Sequence, residues 1–394
     1  MLESIALLTM NPIDLTRRLV AMQTINPPGQ ERECARFLGG LLEKAGFKTQ
    51  YLEFAETRTC LIAWTDVHAG TDVHVWTEGQ GERRPVCFSG HLDTVPLGVI
   101  PWSRDPFNGC IEGDKLYGLG TSDMKGGVAA MVVAALRAAR ASHGKANIML
   151  ILTAGEEAGC QGAFFLAQSD HGLPPAGALV VGEPTLNYPC IAHKGVIWLD
   201  AQADGVAAHA SVPDKGVNAI YKAARAILRL QAFSFQTPNN PILGAPTLNI
   251  GTIAGGNAIN IVPERVMFAV DIRTIPGQSH ADIYRQVEDC LGDDARISNR
   301  RLDCPPVETD ANHPWIQDIF GIMEPILKAR PAPRGMDYFT DASALVPPLG
   351  NPPVIILGPG DLARIHKTDE YCLVSNIEAA AEAYYQIMMK WNQH

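Results

Sequence analysis

The chain has 394 residues, 46% of them hydrophobic and 19% charged, and a formal net charge of −10. That length supports more than one domain with a sizeable core, and the acidic balance argues against a nucleic-acid-binding protein, which carries a basic footprint. Nine widely spaced cysteines without a C-x-x-C exclude a disulfide framework or a zinc knuckle and point to a reducing compartment, the cytoplasm; no run of about 18 apolar residues is present to span a membrane.

The N-terminal stretch MLESIALLTMNPIDL carries Glu3 early and lacks a basic flank, so it does not read as a signal peptide. Residues 30–46, QERECARFLGGLLEKAG, have the spacing of an amphipathic helix closed by Gly46. Residues 64–85, rich in Gly, Thr, His and charge, read as an irregular excursion. Four short apolar runs lie beyond Arg84: PVCFSG (85–90), NIMLILTAG (147–155), AGALVVGEP (176–184) and PPVIILGPG (352–360). Each is continuous rather than alternating, and Gly or Pro ends it, as in a strand covered on both faces of a parallel sheet. Between the first two, Val128, Met131, Val132, Ala135 and Leu136 recur at helical spacing with Arg137 and Arg140 opposite. Strand, helix, strand in that order predicts an α/β layer fold with a mostly parallel central sheet.

Residues 196–308 differ. GVIWLDAQADG and RVMFAVDIRT partly alternate, as half-buried antiparallel strands do, while GVNAIYKAARAILRL and SHADIYRQVEDCL have helical period. This predicts a small α+β domain at 196–308, inserted into a larger domain formed by 1–195 and 309–394.

The apolar runs share one property: metal-type side chains follow each of them. His91 and Asp93 follow the first, Glu156 and Glu157 the second, Glu183 the third and His366 the fourth, while Asp123 stands at the start of the 122–140 helix. Ligands of open α/β sheets bind beyond the carboxyl ends of the strands, so these residues converge. Two imidazoles and several carboxylates suit zinc, cobalt or manganese. Five ligand residues serve two cations only if one bridges, and Asp123 is the candidate, because a carboxylate offers two oxygens. The adjacent Glu156 and Glu157 would otherwise be solvated surface. On extended backbone consecutive side chains point to opposite sides, so a strand end can aim one at a metal and the other at its water.

SGHLDTVP (89–96), WSRDPF (102–107), LYGLGTSDMKGGVAAM (116–131), TAGEEAG (153–159), GEPT (182–185), AAHASVPDKGVNAI (207–220), GGNAINIVPERVMFAVDIR (255–273) and GPGDLARIHKTDE (358–370) together resemble the metallopeptidase family of acetylornithine deacetylase, succinyl-diaminopimelate desuccinylase and glutamate carboxypeptidase. The resemblance covers most of the chain in order. It implies a zinc-peptidase-like catalytic domain with an inserted ferredoxin-like lid and dimerisation domain, a homodimer, and two divalent cations, Zn2+ before Co2+ or Mn2+. By it His91, Asp123 and Glu183 hold one metal, and Asp123, Glu157 and His366 the other. Asp93 orients His91, Glu156 is the general base, and His209 contacts the scissile carbonyl. Arg273 and Asn260 meet the substrate's carboxylate end, with an Asp271–Arg273 structural pair as the alternative for the arginine. GMDYFTDASAL (335–345) resembles a substrate-side loop, with Gly335, Thr340 and Asp341 its candidates. The resemblance further implies a cis peptide after Asp123.

The resulting expectation is a metal-dependent amidohydrolase acting on a small N-acyl amino acid, without nucleic acid or membrane partners. A carboxypeptidase or dipeptidase acting on short peptides is the alternative within the same chemistry. A non-catalytic metal- or ligand-binding protein on the same scaffold is the alternative outside it.

Overall fold

The structure is a computed structural model that describes residues 10–65, 84–168 and 172–393. The N-terminal stretch before Met10 and most of the expected irregular excursion, residues 66–83, lie outside the described residues. The chain divides into two compact units. The larger comprises the described residues up to Ile191, Thr309–Arg334 and those from Thr340 on; the smaller comprises Ala192–Glu308 and Gly335–Phe339.

The larger unit begins with α1 (Pro12–Ala21), whose N-terminus Asn11 caps by accepting the Asp14 N–H, with Pro12 in the first turn. Next come α2 (Arg32–Lys44), β1 (Phe47–Ala55), β2 (Arg58–Thr65), β3 (Val86–His91) and the short β4 (Ile111–Glu112) and β5 (Lys115–Tyr117). Then follow α3 (Gly126–Ala141), β6 (Ile148–Thr153), α4 (Gln161–Gln168) and β7 (Ala178–Val181). Gly46, at φ +91°, ends α2 in the left-handed conformation that favours glycine.

In the smaller unit β8 (Ala192–His193) precedes β9 (Gly195–Asp204), α5 (Ala219–Gln231), β10 (Thr247–Gly255), β11 (Arg265–Thr274), α6 (His280–Leu291), β12 (Arg296–Cys304) and β13 (Val307–Glu308). The chain returns through α7 (Pro314–Leu327), β14 (Gly335–Met336), α8 (Ala342–Leu345), β15 (Val354–Ile356), β16 (Tyr371–Leu373) and α9 (Val374–Trp391).

The central sheet of the larger unit has the order β1-β2-β6-β3-β7-β15. β3 pairs in parallel with β6 and β7, and β7 with β15; β1 and β2 are antiparallel additions at one side. The four parallel strands are the four apolar runs, and each is buried along its whole length. Register sets the working edge. His91 lies opposite Thr153, Ser89 opposite Val181, and Ile356 opposite Val181, so the four strands end at one level. Helix α3 lies against β3 and is itself packed by α9 and α1. Phe88 of β3 meets Tyr384 of α9 edge-on at 5.3 Å, and the Tyr384 hydroxyl donates to the Leu357 carbonyl.

The smaller unit runs β9-α5-β10-β11-α6-β12, with sheet order β10-β11-β9-β12 and every neighbour antiparallel. This is the ferredoxin-like split βαβ arrangement. Alternate residues of β11, Val266, Phe268, Val270 and Ile272, point into a core shared with Ala223 and Leu230 of α5 and Val287 and Leu291 of α6. Residues 335–339 join this unit, beyond the expected limit at 308, because β14 pairs in parallel with β8. Pairing between segments about 140 residues apart leaves no local sign in the chain.

Phe88 is fully buried in β3. Phe88→Ala is expected to lower the unfolding free energy by about 3–5 kcal/mol, measured by denaturant titration; a change below about 1 kcal/mol contradicts this packing.

Candidate metal centre

His91 is the last residue of β3 and is 1% exposed. Its Nδ1–H donates to the main-chain carbonyl of Asp93 at 3.0 Å. That contact leaves Nε2 to face Asp123 Oδ1 at 3.1 Å and Glu183 Oε1 at 3.7 Å. Orientation of the ring by the partner of its other nitrogen is the usual arrangement for a ligating histidine. The Asp93 carboxylate stands 3.5 Å from Nδ1 and has other work. It accepts the backbone N–H groups of Gly155, Glu156 and Glu157 at 3.0, 3.1 and 3.2 Å, and the Asn26 side-chain amide at 2.8 Å.

That carboxylate shapes the turn carrying the two glutamates. The expected extended strand end is absent: β6 stops at Thr153, Gly155 sits at φ +80°, and the chain turns so that Gly159 and Cys160 donate to the Glu156 carbonyl. The two side chains still part. Glu157 Oε2 lies 3.2 Å from His366 Nε2, whereas Glu156 Oε1 lies 3.6 Å from Cys160 Sγ in a buried group with Asp341.

Asp123 precedes α3 in a single wide turn over Thr121–Lys125, with non-helical φ and ψ of −125° and 92°. The Asp123–Met124 peptide is cis, as the family resemblance implies. Its two carboxylate oxygens face different imidazoles: Oδ1 faces His91, and Oδ2 lies 3.3 Å from His366 Nε2. Glu183 follows β7 by two residues and is buried. His366 has φ +55° and a half-exposed side chain. Two sets that share Asp123 result, His91–Asp123–Glu183 and Asp123–Glu157–His366; in these, as in the separate Glu156–Cys160–Asp341 group, the donor atoms lie within 4.8 Å of one another.

The donors fit divalent cations. Burial raises the pKa of Glu156 and Glu183 well above the ordinary glutamate value, and the charge of Glu183 adds to the effect on Glu156. Burial and the charge of Asp123 also raise Glu157. Burial acts the same way on Asp123, yet its contacts with His366 and His91 hold it below its ordinary value. Hydrogen bonds to Asp123 and Glu157 push His366 up to about 10. Glu157 Oε1 is buried with no hydrogen-bond partner, a costly state for a carboxylate oxygen. Crowded buried carboxylates with an orphaned oxygen, set against two imidazoles, form a negative site that bound cations neutralise.

The other expected residues divide between the units. His209 is exposed in the smaller unit, its Nδ1 2.7 Å from the Ser211 hydroxyl. The exposed Asn260 lies beside it, where its carbonyl accepts the Ala210 N–H. Arg273 is paired: Nε and Nη2 donate to the two oxygens of Asp271 at 2.8 and 2.9 Å, and Trp198 Nε1 donates to the same carboxylate at 2.8 Å. Gly335 is explained by packing, since a Cβ there would meet Leu243 at 2.4 Å. Thr340 and Asp341 are buried in the larger unit, and Asp341 accepts from Thr153 Oγ1 behind Glu156. Sequence reasoning missed Asn26, Cys160 and Glu370. Their only sign was their place inside or beside conspicuous segments, the double proline at 27–28, TAGEEAG and HKTDE.

Residues 87–390 match peptidase family M20/M25/M40. An acetylornithine deacetylase from Yersinia pseudotuberculosis is 30% identical over 393 residues, covering 95% of this chain and 96% of the relative. One from Proteus mirabilis is also 30% identical, over 95% of each chain. Among solved structures, the M20 family metallo-carboxypeptidase Sso-CP2 from Sulfolobus solfataricus has a TM-score of 0.76 at 17% identity, covering 98% of this chain and 100% of that one. Aminopeptidase PepT from Bacillus cereus has a TM-score of 0.72 at 22% identity, covering 96% and 98%.

Because Glu157 belongs to a set that contains Asp123 and a histidine, and Glu156 only to the separate group with Cys160 and Asp341, their removal is expected to differ. Glu157→Ala should lower the bound metal from about two ions per chain towards one, and Glu156→Ala should leave metal content unchanged. Elemental analysis after gel filtration decides, and equal metal loss in both variants contradicts the division.

Proposed function

The chain belongs to peptidase family M20/M25/M40 and is a metal-dependent hydrolase of amide C–N bonds; from that premise we propose that it removes the acyl group from an N-acyl amino acid. One observation carries the reading of the site: each oxygen of Asp123 faces a different imidazole, the placement a bridging ligand needs. On this reading His91, Asp123 and Glu183 hold one divalent cation and Asp123, Glu157 and His366 a second. Zinc is the first choice for two imidazoles and carboxylates without sulfur, and cobalt or manganese accept the same donors.

Cations held there supply a water of lowered pKa and polarisation of the amide carbonyl. Glu156 moves the proton. Its carboxylate belongs to neither of the two sets that share Asp123, yet the Asp93-bound turn holds it beside Glu157. It takes the proton of the attacking water and returns it to the departing nitrogen. His91 keeps its Nδ1 proton on the Asp93 carbonyl, which holds Nε2 as the ligating atom. His209 is the donor for the developing oxyanion. Arg273 and Asn260 receive the amino-acid carboxylate; since Asp271 takes Nε–H and one N–H of Nη2, the end of the fork formed by Nη1 and the second N–H of Nη2 is left for substrate.

Acetylornithine deacetylases at 30% identity over 95% of the chain support the acyl amino acid as substrate. The carboxypeptidase and aminopeptidase neighbours lie at 17–22% identity and support the fold. The dipeptide reading is the alternative. We further place the enzyme in the cytoplasm, since none of its nine cysteines forms a disulfide; cell fractionation tests this. No helix among the described residues is long and apolar enough to cross a membrane.

A homodimer is part of the proposal. β10 is a sheet edge, exposed along most of its length, with Ile253 57% exposed and Tyr221 and Leu228 of α5 at 66% and 62%. An open, apolar edge is a template for pairing with another strand.

Metal-reconstituted enzyme is expected to turn over N-acetyl or N-succinyl amino acids, and Glu156→Ala to lose about 10²–10⁴-fold in kcat. Turnover of dipeptides alone removes the acyl amino acid reading, and undiminished Glu156→Ala activity removes the mechanism. Sedimentation is expected to find a dimer that Ile253→Lys weakens; a wild-type monomer at micromolar concentration removes the interface.

A further inference from the structure

Glu370 is 2% exposed and stands four residues after His366, immediately before β16. Its Oε1 accepts the backbone N–H groups of Ser122 and Asp123 at 2.7 and 3.1 Å, and its Oε2 accepts that of Gly120 at 3.0 Å. The Glu370 carbonyl accepts the Gly118 N–H at 3.0 Å, and the Ser122 hydroxyl donates to the Tyr371 carbonyl at 2.8 Å. The whole 118–123 segment is thus gathered onto residues 370–371. Burial pushes the Glu370 pKa up to about 8 against the pull of these N–H donors. All three side-chain contacts are N–H donors, so both oxygens act as acceptors.

The segment it holds ends in Asp123, whose two oxygens face His91 and His366. Neither ligand sits on a regular α-helix or strand: Asp123 lies at a kink in the wide Thr121–Lys125 turn with non-helical φ and ψ, and His366 lies in a turn at φ +55°. Glu370, joined by three intervening residues to His366 and by hydrogen bond to Asp123, ties the two together. Asp93 does the same for the turn bearing Glu156 and Glu157.

We propose that Glu370 is a positioning residue for the Asp123–Glu157–His366 set, fixing the backbone that aims the bridging carboxylate. This rests on the two-cation reading above. A glutamine at 370 keeps the shape but presents an NH2 group to at least one of the three N–H donors. An aspartate keeps both acceptors and draws them back by one methylene.

The test is titration of metal-free wild type, Glu370→Gln and Glu370→Asp with Co2+, followed by visible absorption and elemental analysis, with kcat and KM measured on the loaded enzymes. Wild type is expected to bind two Co2+ per chain. Glu370→Gln should bind one of them about 10- to 100-fold more weakly, with an altered cobalt spectrum and a fall in kcat that leaves KM nearly unchanged. Glu370→Asp should recover part of both losses. Thr65→Val, which removes a buried hydroxyl donating to the Ala146 carbonyl, is the control for stability alone: it should lower Tm and leave both cobalt affinities intact. A wild type that binds fewer than two ions overturns the two-cation reading. A wild type that binds two, with unchanged affinities and spectrum in folded Glu370→Gln, overturns the role of Glu370 alone. Equal cobalt loss in Thr65→Val also overturns it.

Discussion

The centre depends on a single buried carboxylate. Asp93 gathers the N–H groups of three consecutive residues, Gly155 to Glu157, and the amide of Asn26. A fully buried charge is tolerable only when hydrogen bonds replace the water it has lost. Burial pushes Asp93 up, yet contacts with His91, Asn26 and these N–H groups hold it below its usual value. The register of the sheet makes the contact possible. His91 lies opposite Thr153, so the residue two beyond the first meets the residues two to four beyond the second. The turn drawn onto Asp93 then sends Glu157 to His366 and Glu156 to the buried Cys160 and Asp341.

The same economy recurs around Asp123, where Glu370 collects three more N–H groups. Backbone donors of this kind act over short distances and suffer no side-chain freedom to be lost, so they hold irregular segments that propensity alone would not. The candidate ligand side chains are left facing one another with more negative charge than the protein neutralises. That imbalance is unfavourable for folding and favourable for binding cations, a common trade at sites where function and stability compete.

The smaller unit presents a different kind of chemistry. Its Arg273 is not an isolated cation: Asp271 pairs with it, Trp198 donates to the same carboxylate, and Phe339 lies 5.9 Å from the guanidinium. The pairing read as an alternative in the sequence is therefore present. It leaves the arginine oriented, with one side of its fork used by Asp271 and the Nη1 and remaining Nη2 N–H groups free.

Much of this was legible in the chain itself. Four continuous apolar runs became the four parallel strands, because a strand buried on both faces excludes polar residues throughout. Polar side chains just past their ends mark the working edge for the same reason: only there does the chain leave the core. Strands β1 and β10 were not legible, β1 being half exposed, β10 exposed along most of its length, and neither having continuous apolar character. Nor was the attachment of 335–339 to the smaller unit, which rests on one long-range pairing. The sequence by itself determined which residue types reach the edge of the sheet and in what order. Tertiary structure alone decided that Asp123 faces both histidines, that the two glutamates part in a turn instead of along a strand, and that Asp93 and Glu370 serve the backbone. Those outcomes depend on hydrogen bonds between segments about 60 and 250 residues apart, and local pattern carries no record of such contacts.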